Sequence, residues 1–187
     1  MRPTATLSLS LGALLLVSSS ARAEAPPPVS LGARLLLRGG DYAMGGAGGQ
    51  IRLRPFERVG IDLYADGLFG RWSTVRRTDV EVGGTLQYDL LRTDRFALHP
   101  LLGACALLAF ADDQDRSGTT ANDIWFGVRA GVGVAVQLGA KVTLQAQAQA
   151  LLYLGHDFSS QRWILGTDDT LSVTPMGQGV LAINYGL

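Results

Sequence analysis

Long stretches of this chain alternate between apolar and other residues, and this period of two limits the fold to β-strands. Between Val80 and Leu90 every second residue is aliphatic, aromatic or glycine, and the intervening residues include Glu81, Gln87 and Asp89. A helix would spread such a pattern over all of its faces, whereas a strand collects it on one side. The pattern therefore predicts an all-β protein whose strands each have one apolar face.

The same alternation recurs in eight segments. We predict strands at 29–38, 43–54, 59–69, 79–90, 96–110, 122–138, 142–154 and 171–187. One face of these strands contains only Ala, Val, Leu, Ile, Phe, Tyr, Gly or Pro. Three of the connections are short turns, at 55–58, 91–95 and 139–141. They alternate along the chain with three longer polar connections, at 70–78, 112–122 and 155–170. With the brief first connection at 39–42, this order predicts an up-and-down meander with two different rims.

The first 23 residues have the features of a secretory signal peptide. Arg2 supplies a positive start, an apolar run extends from Leu7 to Val17, and Ala21–Ala23 forms an A-x-A cleavage site. The run is shorter than the about 20 apolar residues that a membrane-spanning helix needs. We therefore expect cleavage after Ala23 and an exported mature chain.

The composition argues against several classes of function. The 16 basic and 16 acidic residues leave no net charge, so nothing indicates a nucleic-acid partner. Cys105 is the only cysteine, which excludes an intramolecular disulfide and a CxxC-type metal site. The acidic residues Asp112, Asp113 and Asp115 lack the spacing and the glycine of a calcium loop. We expect neither a metal nor a cofactor.

Alternation alone leaves two barrels open, a soluble carrier of the lipocalin kind with its apolar face inside and a transmembrane barrel with that face outside. Three observations favour the second. The aromatic residues of the apolar face lie at its ends, as interfacial girdles require, with Tyr88, Phe96 and Tyr185 beside short turns and Phe69, Phe110 and Phe126 beside longer connections. The opposite face, with Leu68, Leu107 and many glycines, suits a narrow interior. The apolar face also continues to the last residue, Leu187.

A signal peptide, eight alternating strands, short turns on one rim and Tyr185 two places before Leu187 together resemble the small outer-membrane β-barrels of the OmpA/OmpX type. The resemblance covers residues 29–187. It implies an eight-stranded antiparallel transmembrane barrel in a Gram-negative-type outer membrane, after a cleavable signal peptide at 1–23 and a proline-rich periplasmic lead-in at 24–28. It also implies contact with the lipid bilayer and lipopolysaccharide, and recognition of Tyr185 and Leu187 by the assembly machinery. The family usually ends in an aromatic residue, from which Leu187 departs.

If the apolar face meets lipid, the other face brings charges of both signs into a narrow lumen. The charged residues on that face are Arg34, Arg38, Arg52, Arg54, Arg129, Asp62, Asp66, Asp79, Glu81, Asp89 and Asp123. Unpaired buried charge is costly, so we expect an ion-pair network that closes the barrel. A selective pore or a switchable gate is the alternative. His99 and Cys105 also fall on this face.

The longer connections contain the remaining candidates. His156, Asp157 and Ser159 provide the groups that lipid A deacylases and acyltransferases use, but they lie in a predicted loop with a different spacing, so we expect no catalytic residue. Tryptophans and arginines gather at or beyond the long-connection rim, at Trp72, Trp125 and Trp163 and at Arg71, Arg76, Arg77 and Arg162. They suit anchoring in lipid head groups or a binding surface. The expected role is structural, adhesive or loop-mediated, with a narrow pore or a lipid A-modifying enzyme as alternatives.

Overall fold

The structure, a computed structural model, describes residues 27–40, 43–72, 75–113, 120–156 and 171–187. The β-strands in chain order are β1 (Val29–Gly39), β2 (Met44–Phe56), β3 (Val59–Trp72), β4 (Val75–Tyr88), β5 (Leu91–Arg92), β6 (Phe96–Asp113), β7 (Thr120–Gln137), β8 (Val142–His156) and β9 (Leu171–Gly186). In this part of the chain, no helix is long and apolar enough to span a membrane. The signal peptide predicted at 1–23 lies outside the described residues and stays a prediction.

The eight long strands form one antiparallel sheet that closes on itself. Each long strand pairs with the next in sequence, with β4 pairing directly to β6 beside the two-residue β5. The first strand, β1, also pairs with the last, β9, where Leu35 is opposite Leu181. This closing pair leaves the eight long strands without a free edge, so each of them finds hydrogen-bond partners on both sides. The predicted eight-stranded up-and-down barrel is confirmed.

The strands alternate between exposed apolar residues and buried residues that are often charged. On β1, Leu35 and Leu37 are 61% and 75% exposed, while Arg34, Leu36 and Arg38 are 3% exposed or less. Leucine therefore covers the outside and arginine lines the inside. Water would penalise such an apolar belt, but hydrocarbon accepts it. The arrangement excludes the soluble carrier and is that of a transmembrane barrel.

Two connections that the sequence predicted as long loops are shortened by strands that continue into them, so their predicted bounds were wrong. In place of the loop at 70–78, β3 continues to Trp72 and β4 begins at Val75. The connection predicted at 112–122 is shortened in the same way by the ends of β6 and β7. The physical reason is that outward residues beyond the hydrocarbon need not be apolar. The alternation therefore ends before the hydrogen-bond ladder does.

The opposite end of the barrel, the short-turn rim, contains the tight connections. The β2–β3 hairpin has a register shift between Leu53 and Phe56, where Pro55 cannot donate to the ladder. The turn predicted at 91–95 contains β5, which pairs with the start of β6. The other end, the long-connection rim, is where residues 157–170 join β8 to β9. The two rims therefore differ in how much chain they present.

Candidate functional site in the lumen and at its rims

Glu81 on β4 is the centre of the polar network inside the barrel. Its carboxylate accepts hydrogen bonds from Arg38 Nη2 at 2.6 Å, from Arg129 and from the Tyr153 hydroxyl. The side chains of Glu81, Arg38 and Arg129 are all fully buried. Since the donors come from β1, β7 and β8, one carboxylate connects four strands across the lumen. Charge-assisted bonds of this kind are about twice as strong as neutral ones.

A second group of polar residues lies between Glu81 and the long-connection rim. The Gln178 side-chain oxygen accepts from Arg38 Nε and Nη2 at 2.9 and 2.7 Å, and Arg77 Nε donates to Asp79 Oδ1 at 2.7 Å. Arg38 also lies 3.9 Å from Asp79. Arg77 was predicted to lie in the connection at 70–78, and this prediction was wrong. Arg77 faces the lumen because β4 begins earlier than predicted, at Val75.

A third group occupies the half of the lumen nearer the short turns. Arg52 Nε and Nη2 donate to the two oxygens of Asp62 at 2.6 and 2.7 Å. Gln87 donates to Asp62, and Gln145 accepts from Arg52. Gln145 Nε2 lies 2.9 Å from His99 Nε2. Amides from β4 and β8 thus extend one ion pair across the barrel.

Asp89 marks the mouth of the lumen at the short-turn rim. Its carboxylate lies 3.2 Å from Arg54, 3.7 Å from Arg92 and 3.8 Å from His99 Nδ1. Asp89, Arg54 and Arg92 border an open vestibule of about 570 Å³, which Thr93 and other turn residues also line. The barrel is therefore wide and polar at this end and becomes filled toward its middle.

Two arginines lie against the ring of Tyr64 inside the barrel. The guanidinium carbons of Arg34 and Arg129 are 4.2 and 4.6 Å from its ring centroid. Arg34 Nε also lies 3.2 Å from Asp66 Oδ1. A buried aromatic face attracts a guanidinium electrostatically, so the Tyr64 ring favours the burial of both arginines.

Trp125 is fully buried inside the barrel, and its predicted place at the membrane interface was wrong. The indole Nε1 donates to Asp123 Oδ2 at 2.8 Å, and the ring lies 6.1 Å from that of Tyr153. Gly155 on the neighbouring strand makes room, since a side chain there would overlap the indole. The available signal was the alternation of outward Ile124 and Phe126, which places Trp125 on the inner face.

Apolar side chains fill the rest of the half nearer the long-connection rim. Two buried clusters occupy it, Leu36, Met44, Leu68 and Val180 in one and Tyr64, Cys105, Leu107, Trp125, Leu151, Tyr153 and Met176 in the other. Cys105 is one packing residue among these. In the part of the chain that the structure describes, apolar packing therefore lies on one side of the ion-pair network, and the vestibule opens on the other.

The buried charges of the described lumen balance one another. The buried arginines and carboxylates are Arg34, Arg38, Arg52, Arg77 and Arg129 and Asp62, Asp66, Asp79, Glu81 and Asp89. Arg54 and Asp123 of the predicted set are only half-buried. Sequence reasoning omitted Arg77 and the neutral groups that link the charges, chiefly Gln87, Gln145 and Gln178. Because five buried cations are matched by five buried anions, the free-energy cost of burying these charges is kept low.

The remaining candidate residues lie on the outer surface of the barrel or outside the residues that the structure describes. The six aromatic residues predicted to form girdles, Phe69, Tyr88, Phe96, Phe110, Phe126 and Tyr185, are between 40% and 65% exposed, and so is Leu187 at 65%. Residues 157–160, Arg162 and Trp163 lie outside the described residues, and so do the side chains of His156 and Trp72. Among the residues that are described, no three His, Cys, Asp or Glu side chains are grouped to hold a metal.

Comparison with known proteins finds solved structures with a similar fold. No family model and no curated protein matches the sequence. Among solved structures, Neisserial surface protein A (NspA) is similar over 85% of this chain and 96% of its own, with a TM-score of 0.58 and 10% identity. A major outer membrane protein from Thermus thermophilus matches over 84% and 97%, with a TM-score of 0.58 and 14% identity. Ail, the attachment invasion locus protein of Yersinia pestis, matches over 84% and 95%, with a TM-score of 0.51 and 12% identity.

These identities are low enough that the likeness is one of fold. The match covers almost the whole of each of the three solved chains, so this barrel corresponds to nearly all of each of them. The predicted resemblance to small eight-stranded outer-membrane β-barrels is therefore confirmed for the architecture.

Proposed function

We propose that this chain is an integral outer-membrane protein whose barrel is a closed scaffold, and that its role lies in envelope structure, adhesion or another interaction made at its outer end. In this proposal the short-turn rim faces the periplasm and the long-connection rim faces outward, as is usual for bacterial barrels. The bilayer and lipopolysaccharide are its surroundings, and Tyr185 with Leu187 is the signal for the assembly machinery. No nucleic acid is involved.

The observation that supports a closed scaffold is the cluster of Arg38, Glu81 and Arg129. These side chains meet across the middle of the lumen and are fully buried. An ion path would have to hydrate these groups or displace them. Eight strands enclose little more than packed side chains, so such a path has no room beside the cluster.

The outer connections are the better place for an interaction. Residues 157–170 form the longest of them and include Arg162 and Trp163, residue types that are enriched in binding surfaces. Ail, whose name refers to attachment and invasion, has the same fold, which favours an adhesive role over a catalytic one. Loops on a rigid scaffold are where binding residues concentrate.

A narrow pore is the second candidate, and the vestibule of about 570 Å³ at the short-turn rim favours it. Conductance of the refolded protein in planar bilayers separates the two. We expect the wild type to show no steps above background and the variant Glu81→Ala/Tyr153→Ala, which empties the centre of the lumen, to conduct. Electrophoresis of boiled and unboiled samples verifies folding in both. Conductance steps from the wild-type protein would contradict the closed scaffold and support the pore.

The outer-surface role is tested by replacing residues 157–170 with a short Gly-Ser turn. Cells that display this variant should lose adhesion to the surfaces that wild-type cells bind, while the heat-dependent migration of the barrel is unchanged. Unchanged adhesion and an intact envelope after deletion of the whole gene would contradict the proposal. Mass spectrometry of lipid A from the same strains tests the enzyme alternative, and a changed acyl pattern would overturn the non-enzymatic role.

A further inference from the structure

A small recess lies beside the vestibule at the short-turn rim, where the first and last strands of the barrel meet. Arg54 and Thr143 line both the vestibule and the recess, so the two spaces adjoin. The recess has a volume of about 10 Å³, which is what one water-sized particle needs. The residues that line it are Pro27, Ser30, Arg52, Arg54, Lys141, Thr143, Asn184 and Gly186.

The recess exists because a glycine interrupts a row of inward-facing side chains. Ser30 on β1 is opposite Arg52 on β2 and opposite Gly186 on β9. The backbone N–H of Gly186 donates to the carbonyl of Lys141 at 2.7 Å, which brings the β7–β8 turn alongside. A side chain on Gly186 would overlap the Pro27 ring, so glycine lets the proline fold over this position. The recess is the space that remains between the proline ring and its polar neighbours.

Asn184 is the buried side chain whose hydrogen-bonding capacity is incomplete at the recess. It is 2% exposed, and its Oδ1 accepts from Gln50 Nε2 at 2.6 Å. Its Nδ2 has no hydrogen-bond partner among the residues that the structure describes. An unpaired buried N–H is costly, and Asn184 also lines the recess. A particle in the recess that accepts a hydrogen bond from Nδ2 therefore stabilises the folded barrel.

The other charged groups around the recess favour an anion over a water molecule. Lys141, Arg52 and Arg54 offer donors only, and no Asp or Glu is among the described residues that line the recess. The two arginines keep the carboxylate partners given above. The Lys141 ammonium lies 5.7 Å from the centroid of the Tyr185 ring, and no ion pair of the described residues includes it. A water molecule would have to direct two hydrogens toward such groups, whereas an anion only accepts.

We propose that the recess binds a single chloride ion, with Asn184 Nδ2 and the Lys141 ammonium as donors and Arg54 at the side of the vestibule. The volume admits a monoatomic anion and excludes phosphate, sulfate and organic carboxylates. The lining residues come from β1 and β2 on one side and from β8 and β9 on the other. The bound ion therefore stabilises the closure of β1 on β9. This site goes beyond the proposed outer-surface role and does not depend on it.

The first test measures unfolding of the refolded chain in lipid vesicles as sodium chloride replaces sodium gluconate at constant ionic strength. Gluconate is too large for the recess. A ligand that binds only the folded state lowers the unfolding equilibrium constant by the factor 1 + [chloride]/Kd. With Kd measured from the broadening of the chloride NMR line, about ten times Kd of chloride should lower this constant about 11-fold. Equal stability in chloride and gluconate would overturn the proposal.

Two variants and a matched control assign the effect to the recess. Asn184→Asp places a carboxylate at the recess and keeps an oxygen for Gln50, so it should remove the dependence on chloride. Lys141→Gln should weaken chloride binding about fivefold, the equivalent of one contact between unit charges near water. Arg58→Gln removes an exposed cation that lines the vestibule but not the recess, and it should bind chloride like the wild type. Equal weakening in Arg58→Gln and Lys141→Gln would contradict a specific site.

Crystals of the wild-type protein soaked in sodium bromide locate the ion directly. We expect an anomalous scattering peak in the recess, beside Asn184 Nδ2 and Lys141. Density without an anomalous signal would show that the recess holds only water, and this result would overturn the proposal even if Asn184→Asp failed to fold. Conductance and adhesion of the same protein report separately on the closed scaffold and the outer-surface role.

Discussion

Arg52 on β2 and Asp62 on β3 are directly opposed cross-strand partners whose side chains meet inside the barrel in two parallel hydrogen bonds of 2.6 and 2.7 Å. The register of a single hairpin is enough to bring these two charges together. Arg38 and Glu81 differ, because β1 and β4 are not neighbours and meet only across the lumen. The barrel therefore holds one set of ion pairs by hairpin register and another by closure.

Removing one partner of the hairpin pair should be strongly destabilising. Asp62→Ala leaves the Arg52 guanidinium buried without its carboxylate, which costs about 3–5 kcal/mol of unfolding free energy. Urea titration of the protein in lipid vesicles measures this. The control is Arg52→Met/Asp62→Leu, which removes both charges and should recover most of the loss. A double variant as unstable as the single one would show that the pair is not the cause.

Glu81 should matter more than any exposed carboxylate. Glu81→Gln removes the negative charge that Arg38 and Arg129 share, and we expect a loss of about 3 kcal/mol because two buried cations then face each other. The temperature at which the folded band disappears in electrophoresis should fall. Glu57→Gln, on the exposed β2–β3 turn, should change the unfolding free energy by less than about 0.5 kcal/mol. Equal behaviour of the two variants would contradict the central place of Glu81.

The buried indole depends on a neighbouring glycine. Gly155→Ala would push a methyl group into the Trp125 ring, and we expect a cost of about 1–3 kcal/mol together with a change in tryptophan fluorescence. Gly179→Ala, where nothing lies within 4 Å of the added carbon, is the matched control and should be neutral. If both variants melt like the wild type, Trp125 does not pack against Gly155.

A charged substitution on the outward face should destabilise the barrel more, the deeper it lies in the hydrocarbon of the membrane. Val132→Arg places a charge on the outward face of β7 near the middle of the barrel wall and should destabilise the barrel by about 2–4 kcal/mol in a bilayer. Leu138→Arg places the charge just after β7 ends and should destabilise the barrel by about 0–1 kcal/mol. Refolding yields in vesicles, compared at increasing urea, give both values. Equal costs would mean that hydrocarbon does not surround the middle of β7.

Much of the barrel could be read directly from residue order. Hydrocarbon accepts only apolar side chains, so every second residue of a run such as Val142–Leu154 is constrained, and the number of strands and their outward face follow. Strand ends could not be read in this way. Arg77 was misplaced because β4 continues past the hydrocarbon, where outward residues are free to be polar. Trp125 was misplaced for another reason, since the outward Ile124 and Phe126 on either side of it already indicated an inward position.

The partners within the lumen were decided only by the tertiary structure. Amino-acid order shows that Arg38, Glu81 and Arg129 face inward, but not which of them meet. Glu81 finds its three donors 43, 48 and 72 residues away along the chain, on strands that do not pair with β4. Only the closure of β1 on β9 brings those inner faces within hydrogen-bond distance, because side chains on strands that do not pair reach one another only across an enclosed lumen.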